Sequence, residues 1–122
     1  FPALIDSDVS PGIDKRTTMR LRRGQLRIEG KLDLHGMTQK EAHQALGGFI
    51  RGARGAQRRM VIVITGKGGG GQGVLRKAVP RWLNETSLRP LVLAFAQAQP
   101  RDGGGGALYV LLRRRRKPPA TE

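Results

Sequence analysis

This chain of 122 residues contains no cysteine, few aromatic residues and no long apolar run. The absence of cysteine excludes a disulfide framework, a thiolate metal site and a cysteine nucleophile, and it fits a reducing compartment. No apolar run approaches the roughly 18 residues that a membrane-spanning helix needs. We therefore expect a cytoplasmic protein without a membrane partner.

Acidic residues are also scarce. Nine Asp and Glu stand against 23 Lys and Arg, which gives a net charge of +14. Such an excess is typical of proteins that bind nucleic acid, because neutralising phosphates releases condensed counterions. The alternative is a solvated surface with a basic tail, or a ribosomal or membrane-surface contact. With one Trp, one Tyr and three Phe in the chain, base stacking is a minor resource, so we expect backbone contacts and little sequence specificity.

The length allows one domain. We divide the chain into a basic N-terminal arm over residues 1–25, partly disordered, an α/β domain over residues 26–113 and a basic disordered tail over residues 114–122. The arm contains a short helix over residues 13–24, for which Asp14 is the expected N-cap and Gly24 the stop.

Hydrophobic periodicity predicts the order β-α-β-α-β-β for the domain, with the first two strands parallel through a right-handed crossover. Thr38 and Glu41 form a capping box at the start of the first helix, and Pro80 should kink or divide the second helix. The second strand is rich in β-branched residues and should be buried on both faces. The predicted strands cover residues 26–34, 60–64, 91–96 and 107–112, and the helices cover residues 38–57 and 73–85.

An acid and an imidazole lie close together where the first strand ends, in the run Leu32-Asp33-Leu34-His35-Gly36. Residues two apart on a strand share a face, so Asp33 and His35 would project together where α/β sheets place ligands. Histidine can move a proton near neutral pH, and a neighbouring carboxylate can fix its tautomer or hold a magnesium ion. The structural alternative is that Asp33 caps the following turn and His35 packs beneath a glycine loop.

A glycine-rich loop, from Thr65 to Gly73, joins the second strand to the second helix. Its backbone N–H groups can bind a phosphate with the help of the positive end of the helix, and Lys67 adds a charge. The alternative is a flexible connector. The residues that we assign to phosphate binding at this point are Gly36, Thr65, Gly66, Lys67 and Gly68.

Two other glycine-loop motifs do not fit. A Walker A loop requires Ser or Thr after its lysine, and Gly68 follows Lys67 here. A dinucleotide fingerprint requires an acid at the end of the next strand, where Ala96-Gln97-Ala98 stands. We therefore expect no organic cofactor, and Mg²⁺ or another divalent cation is the candidate inorganic one, without assigned ligands.

Basic residues beyond the loop are further candidates for contacts to nucleic acid. Arg76, Lys77 and Arg81 lie at helical spacings in the second helix, and they could equally form an ordinary solvated face. The five consecutive cations over residues 113–117 predict a tail with nonspecific affinity.

Four motifs, in this order, resemble those of the Smr (small MutS-related) domain family. They are Leu32-Asp33-Leu34-His35-Gly36, Thr65-Gly66-Lys67-Gly68, the helix start over residues 73–79, and the glycine loop and strand over residues 103–112. The resemblance covers residues 31–112 and implies a four-stranded two-layer α/β sandwich, nucleic-acid binding and endonuclease activity. The basic arm is similar to that of stand-alone bacterial members. The extra glycines over residues 69–71 depart from the family, so the geometry of this loop cannot be carried over.

Two main interpretations of function follow. The first is an Smr-type endonuclease that nicks DNA or cleaves RNA with little sequence specificity, with Asp33 and His35 at the reacting centre. The alternative is a DNA-, RNA- or ribosome-binding module that uses the same surface without catalysis. A protein-interaction domain with incidental charge is a weaker third. Composition does not separate the first two, because both need a basic surface.

Overall fold

The computed structural model of this chain describes residues 14–67 and 73–114. The helix and strand order predicted from the sequence is confirmed, and short 3₁₀ turns flank β3. Within the described residues, every helix is too short or too polar to cross a bilayer. The elements are α1 (Lys15–Arg22), β1 (Lys31–Asp33), α2 (Gln39–Gly55), β2 (Met60–Ile64), α3 (Val74–Leu83), β3 (Val92–Gln97) and β4 (Ala107–Leu112).

The four strands form one mixed sheet in the order β1-β2-β4-β3. β1 pairs with β2 in parallel, whereas β4 runs antiparallel to both β2 and β3. The parallel pair needs a crossover, which α2 supplies. As a result, the carboxyl ends of β1, β2 and β3 and the amino end of β4 all lie at one end of the sheet. We call this the site end.

Alternate side chains of β2 separate two apolar clusters, as expected for a strand buried on both faces. Val61 and Val63 pack with α2 and α3, whereas Met60 and Ile62 pack on the opposite face. Across β4 the same alternation places Val110 in the first cluster and Tyr109 in the second. The sheet is therefore an interior layer over much of its area.

The capping box predicted at the start of α2 is confirmed. The Thr38 hydroxyl accepts a hydrogen bond from the Glu41 N–H at 3.2 Å, and the Glu41 carboxylate accepts one from the Thr38 N–H at 2.9 Å. These two bonds satisfy amides that have no partner inside the helix. From this start α2 presents one apolar stripe to the sheet, made of Ala42, Leu46, Ile50 and Ala53.

Helix α1, in the described part of the basic arm, covers the second face of the sheet. Asp14 is its N-cap, as predicted, and accepts a hydrogen bond from the Thr17 N–H at 2.7 Å. Leu21 is only 1% exposed and packs with Tyr109 in the second cluster. The Gln99 side chain donates to the Arg22 carbonyl at 2.6 Å, which ties the end of α1 to the β3–β4 connection.

The first strand is shorter than predicted, because residues 26–30 do not form regular strand. Leu26 instead turns into the cluster beneath α1. The Glu29 N–H still donates to the Met60 carbonyl at 2.8 Å, so the segment stays beside β2. At Gly30 the chain comes so close to β2 that a Cβ would lie 3.2 Å from a Val61 methyl carbon.

The expected division of the second helix at Pro80 is wrong, because α3 continues through this residue as one helix. Proline removes the hydrogen bond to the carbonyl four residues earlier and costs about 3 kcal/mol in a helix interior. Burial of one apolar side of α3 offsets this cost, and Asn84 donates its side-chain amide to the Pro80 carbonyl at 3.0 Å. The buried side consists of Leu75, Ala78, Val79 and Leu83.

Candidate functional site

Asp33 and His35 come together through a tight turn that follows β1. The Met37 N–H donates to the Leu34 carbonyl at 3.0 Å, and Gly36 within this turn has a φ of +82°. Glycine adopts such an angle without strain, which explains its place after the histidine. His35 therefore lies in the turn and not on the strand, and its side chain is brought back to Asp33 by the curvature of the chain.

One carboxylate oxygen of Asp33 accepts two hydrogen bonds from His35. It lies 2.6 Å from the Nδ1 atom of the ring and 3.0 Å from the backbone nitrogen. These bonds, with the ring contact the larger cause, lower the pKa of Asp33. The predicted turn-capping role and the predicted pairing with the imidazole therefore occur at the same oxygen.

The pairing with Asp33 assigns the tautomer of His35. An ionised carboxylate only accepts hydrogen bonds, so Nδ1 carries the hydrogen and the neutral ring has a lone pair at Nε2. The His35 side chain is 69% exposed. The Cβ atom of His35 would lie 3.5 Å from a Cβ built on Gly66, so the start of the His35 side chain packs against the segment that follows β2. The ring itself is available to a ligand.

The segment after β2 is fixed by the glycine loop before β4. The carbonyl of Gly106 accepts hydrogen bonds from the backbone N–H groups of Thr65 at 2.8 Å and Gly66 at 3.1 Å. A Cβ on Gly106 would lie 2.9 Å from the Gly66 carbonyl carbon, so only glycine fits without a shift of the backbone. Thr65 and Gly66 therefore shape the site, while their own N–H groups are engaged with Gly106.

These parts enclose an open cleft of about 490 Å³ at the site end of the sheet. The cleft is lined by residues 35–37 with Gln39, by residues 65–67, which we call its floor, and by residues 73–75. Gly73 has a φ of +73° and provides no side-chain cap for α3. Among the described residues, no side-chain cap engages the first backbone N–H groups of α3, a position where an anion is favoured.

The structure divides the predicted phosphate-binding residues into groups. Gly36, Thr65, Gly66 and Lys67 line the cleft, and Arg76 lines a neighbouring cavity beyond Thr65. Lys77 and Arg81 are exposed on another side of α3 and line neither of these two cavities. Gly68 lies outside the described residues, as do residues 1–13 of the arm and residues 115–122 of the tail.

The residues that the structure describes do not build a site for a divalent cation. Among the described residues, no group of three or more His, Asp or Glu side chains gathers as metal ligands. Asp33 offers a single carboxylate, one oxygen of which already accepts two hydrogen bonds. Mg²⁺ prefers six oxygen ligands in octahedral geometry. These residues therefore do not fit a dedicated site for Mg²⁺.

Sequence reasoning did not assign the role of Gly106, although the glycine loop was part of the family resemblance. It also did not include Gln39 and Met37, which line the cleft beside His35. The cluster of glycines over residues 103–106 was the available signal for Gly106. Nothing local distinguishes this residue from its neighbours, because its contact is with a segment 41 residues earlier.

Comparisons with known proteins identify the family of this chain. The model of the Smr domain family matches residues 32–113. The ribosome rescue factor SmrB of Yersinia pseudotuberculosis is 39% identical over 103 residues, which cover 80% of this chain and 55% of that protein. SmrB of Escherichia coli O157:H7 is 38% identical over 103 residues, which cover 80% and 53%. The chain thus spans about half the length of these curated relatives.

Two solved structures share the fold. YdaL, a stand-alone small MutS-related protein from Escherichia coli, matches with a TM-score of 0.75 and 31% identity over 88% of this chain and 82% of its own. The Smr domain of Thermus thermophilus MutS2 matches with a TM-score of 0.60 and 32% identity, covering 69% of this chain and 98% of that domain. The predicted α/β fold with a four-stranded mixed sheet is confirmed.

Proposed function

Because this chain belongs to the Smr domain family, we propose that it is an RNA-binding module that acts on the ribosome and holds an RNA strand in the cleft. One observation carries the proposal: an exposed imidazole, a lysine and a helix start that no described side chain caps line one cleft in a chain of net charge +14. The curated relatives are named ribosome rescue factors, which favours RNA over DNA and the ribosome as the partner. A ribosomal partner also implies a cytoplasmic location.

Binding in the cleft would rest on one backbone phosphate. Lys67 is exposed at the floor and supplies a compact positive charge. The N–H groups at the start of α3 add donors and the positive end of the helix dipole. Val74 and Leu75 provide the apolar part of the lining, against which a ribose can pack. None of these contacts reads a base, so little sequence specificity is expected.

Cleavage of the bound strand is a second candidate function, and the Asp33–His35 pair favours it. With the hydrogen on Nδ1 held by Asp33, the Nε2 lone pair of His35 can take the proton from a ribose 2′-hydroxyl. The 2′-oxygen then attacks the adjacent phosphorus, and the bond from phosphorus to the 5′-oxygen breaks. The products are a 2′,3′-cyclic phosphate and a 5′-hydroxyl, whose proton comes from water in the open cleft.

A binding assay tests the first proposal. Fluorescence anisotropy with a labelled single-stranded RNA, and cosedimentation with ribosomes, compare the parent protein with Lys67→Gln. Lys77→Gln is the matched control, because it removes the same charge from an exposed position that lines neither cavity. We expect Lys67→Gln to weaken RNA binding about tenfold and Lys77→Gln about twofold. Equal effects, or no RNA binding by the parent at low salt, would contradict the proposal.

A cleavage assay with the same RNA, with and without EDTA, tests the second. His35→Ala and Asp33→Asn should each lower the cleavage rate by about 10²-fold, whereas binding should change only several-fold. The double variant should be little worse than either single one, because the two residues act as a unit. An all-deoxy strand should bind and stay intact, since it lacks the attacking hydroxyl. If the folded variants cleave at the parental rate, Asp33 and His35 have no part in cleavage. If the parent protein does not cleave the RNA, only the binding function remains.

A further inference from the structure

A second, smaller cavity lies beside the cleft at the site end of the sheet. It has a volume of about 90 Å³, and its polar lining comes from Thr65, Arg76, Gln97 and Gly105. A single water needs only about 10–15 Å³, so this volume accommodates a larger polar group such as a phosphate. Thr65 lines both cavities. The second cavity is therefore the direct continuation of the cleft on the β3 side.

The guanidinium of Arg76 is seated over the backbone of Gly105. A Cβ on Gly105 would lie 3.3 Å from Nη2, 3.5 Å from Cζ and 3.7 Å from Nη1 of this side chain. Three guanidinium atoms at such similar distances indicate that its flat face rests on the glycine. No hydrogen bond or ion pair with a described residue engages Arg76, so none of the described residues occupies its five donors.

The two cavities follow the order of the strands. His35 lies beyond the end of β1, Thr65 follows β2, and Gln97 ends β3. All three residues are at the site end, since these strands are mutually parallel. The backbone of an RNA strand that crosses the site end from the β1 side to the β3 side would therefore pass Lys67 first and Arg76 next.

We propose that Arg76, seated on Gly105 and assisted by Gln97, binds a second phosphate of the RNA strand held in the cleft. This inference rests on the proposed function and deepens it, because it gives the strand a path across the sheet end. The Arg76 fork donates two hydrogen bonds to phosphate oxygens, and the Gln97 amide donates to the same phosphate or to its ribose. The minimal ligand then contains two consecutive phosphates, and Arg76 acts through its planar shape as well as its charge.

The test measures the affinity of a fluorescein-labelled oligouridylate, about ten nucleotides long, over a range of salt concentrations. Arg76→Gln is compared with Arg81→Gln, which removes the same charge from the same helix but outside both cavities. We expect about a tenfold loss for Arg76→Gln and about twofold for Arg81→Gln. The slope of log affinity against log salt should fall by about 0.7 for Arg76→Gln, the value for one phosphate of a single strand.

Arg76→Lys keeps the charge and removes the planar fork. A seated, bidentate contact predicts that this variant loses at least threefold in affinity, whereas a purely electrostatic role predicts no loss. Circular dichroism and urea unfolding establish that each variant is folded. Gln97→Ala probes the subsite without a change of charge, and we expect it to lower the affinity for the oligouridylate twofold to fivefold. If Arg76→Gln equals Arg81→Gln while Lys67→Gln still weakens binding, the second subsite is overturned and the proposed function stands. If the parent protein does not bind the oligouridylate, both fail together.

Discussion

Gly106→Ala should separate β4 from the segment that forms the floor of the cleft. The new Cβ would lie 2.9 Å from the Gly66 carbonyl carbon and 3.2 Å from the Lys67 nitrogen. Both are backbone atoms, so no side-chain rotation relieves the contact, and the two segments must move apart by several tenths of an ångström. The hydrogen bonds from the Thr65 and Gly66 N–H groups to the Gly106 carbonyl lie directly at this contact.

The expected cost follows from these contacts. Each of the two hydrogen bonds contributes about 0.5–1.5 kcal/mol net, and crowding in a packed region costs about 1–3 kcal/mol. Movement that relieves the crowding weakens the bonds, so the two costs do not add in full. We expect the free energy of unfolding to fall by about 2 kcal/mol. With a urea m-value of about 1–3 kcal/mol/M, the midpoint should fall by about 1 M.

Urea unfolding followed by circular dichroism measures the midpoint, and anisotropy with the oligouridylate measures binding. Gly48→Ala is the control, because a Cβ at Gly48 meets no atom within 4 Å and the residue lies inside α2. That substitution should raise stability by about 0.5–1 kcal/mol through helix propensity and leave RNA affinity unchanged. Gly106→Ala should weaken RNA binding about tenfold, since Lys67 moves with the displaced floor. A variant with the parental midpoint and the parental affinity would refute the close contact between these two loops.

Three further predictions concern titration and salt. The hydrogen bonds from the His35 ring and N–H hold the pKa of Asp33 below its ordinary value. The ionised carboxylate therefore stabilises the fold fully above the pKa of Asp33 in the unfolded chain, and this stabilisation is lost as pH falls through the pKa in the folded state. NMR of the carboxyl carbon should show the lowered pKa, and a pKa that does not rise in His35→Ala would contradict the pairing. Burial is the larger cause and the hydrogen bond to Asp102 the next that raise the pKa of Tyr109. The stability that the neutral phenol contributes is present below the pKa of Tyr109 in the unfolded chain and is lost as pH rises through the pKa in the folded state. An ultraviolet titration of this single tyrosine that gave the ordinary pKa would contradict its burial and its hydrogen bond to Asp102. RNA affinity should fall steeply with salt, and removal of residues 114–122 should flatten the slope; an unchanged slope would exclude the tail from binding.

Local sequence signals were sufficient for most of the fold. The capping box at Thr38 and the helical spacing of apolar residues after it predict α2, because both depend on contacts within one or two turns. The β-branched run over Met60–Ile64 predicts a strand buried on both faces, and β2 has this position. The pairing of Asp33 with His35 was also accessible, since the two residues are only two positions apart.

Other features required the tertiary structure. Pro80 remains inside α3 because burial of the apolar side of that helix offsets the lost hydrogen bond. The sequence does not distinguish among the three basic residues of α3, which are Arg76, Lys77 and Arg81. Of these three, only Arg76 lines one of the two cavities described at the site end. Which side of a helix faces a site depends on how the helix packs on the sheet. Helical spacing alone gives the angles between side chains and not the direction of the site.

The sequence by itself determined the element types, the charge of the surface and the composition of the two motifs that carry the chemistry. Only the tertiary structure decided that Gly106 closes the floor of the cleft and engages the N–H groups of Thr65 and Gly66. Local patterns report interactions between near neighbours in the chain. The contact of Gly106 joins segments 41 residues apart. Whether a Cβ fits at this position is therefore decided only when β4 pairs with β2.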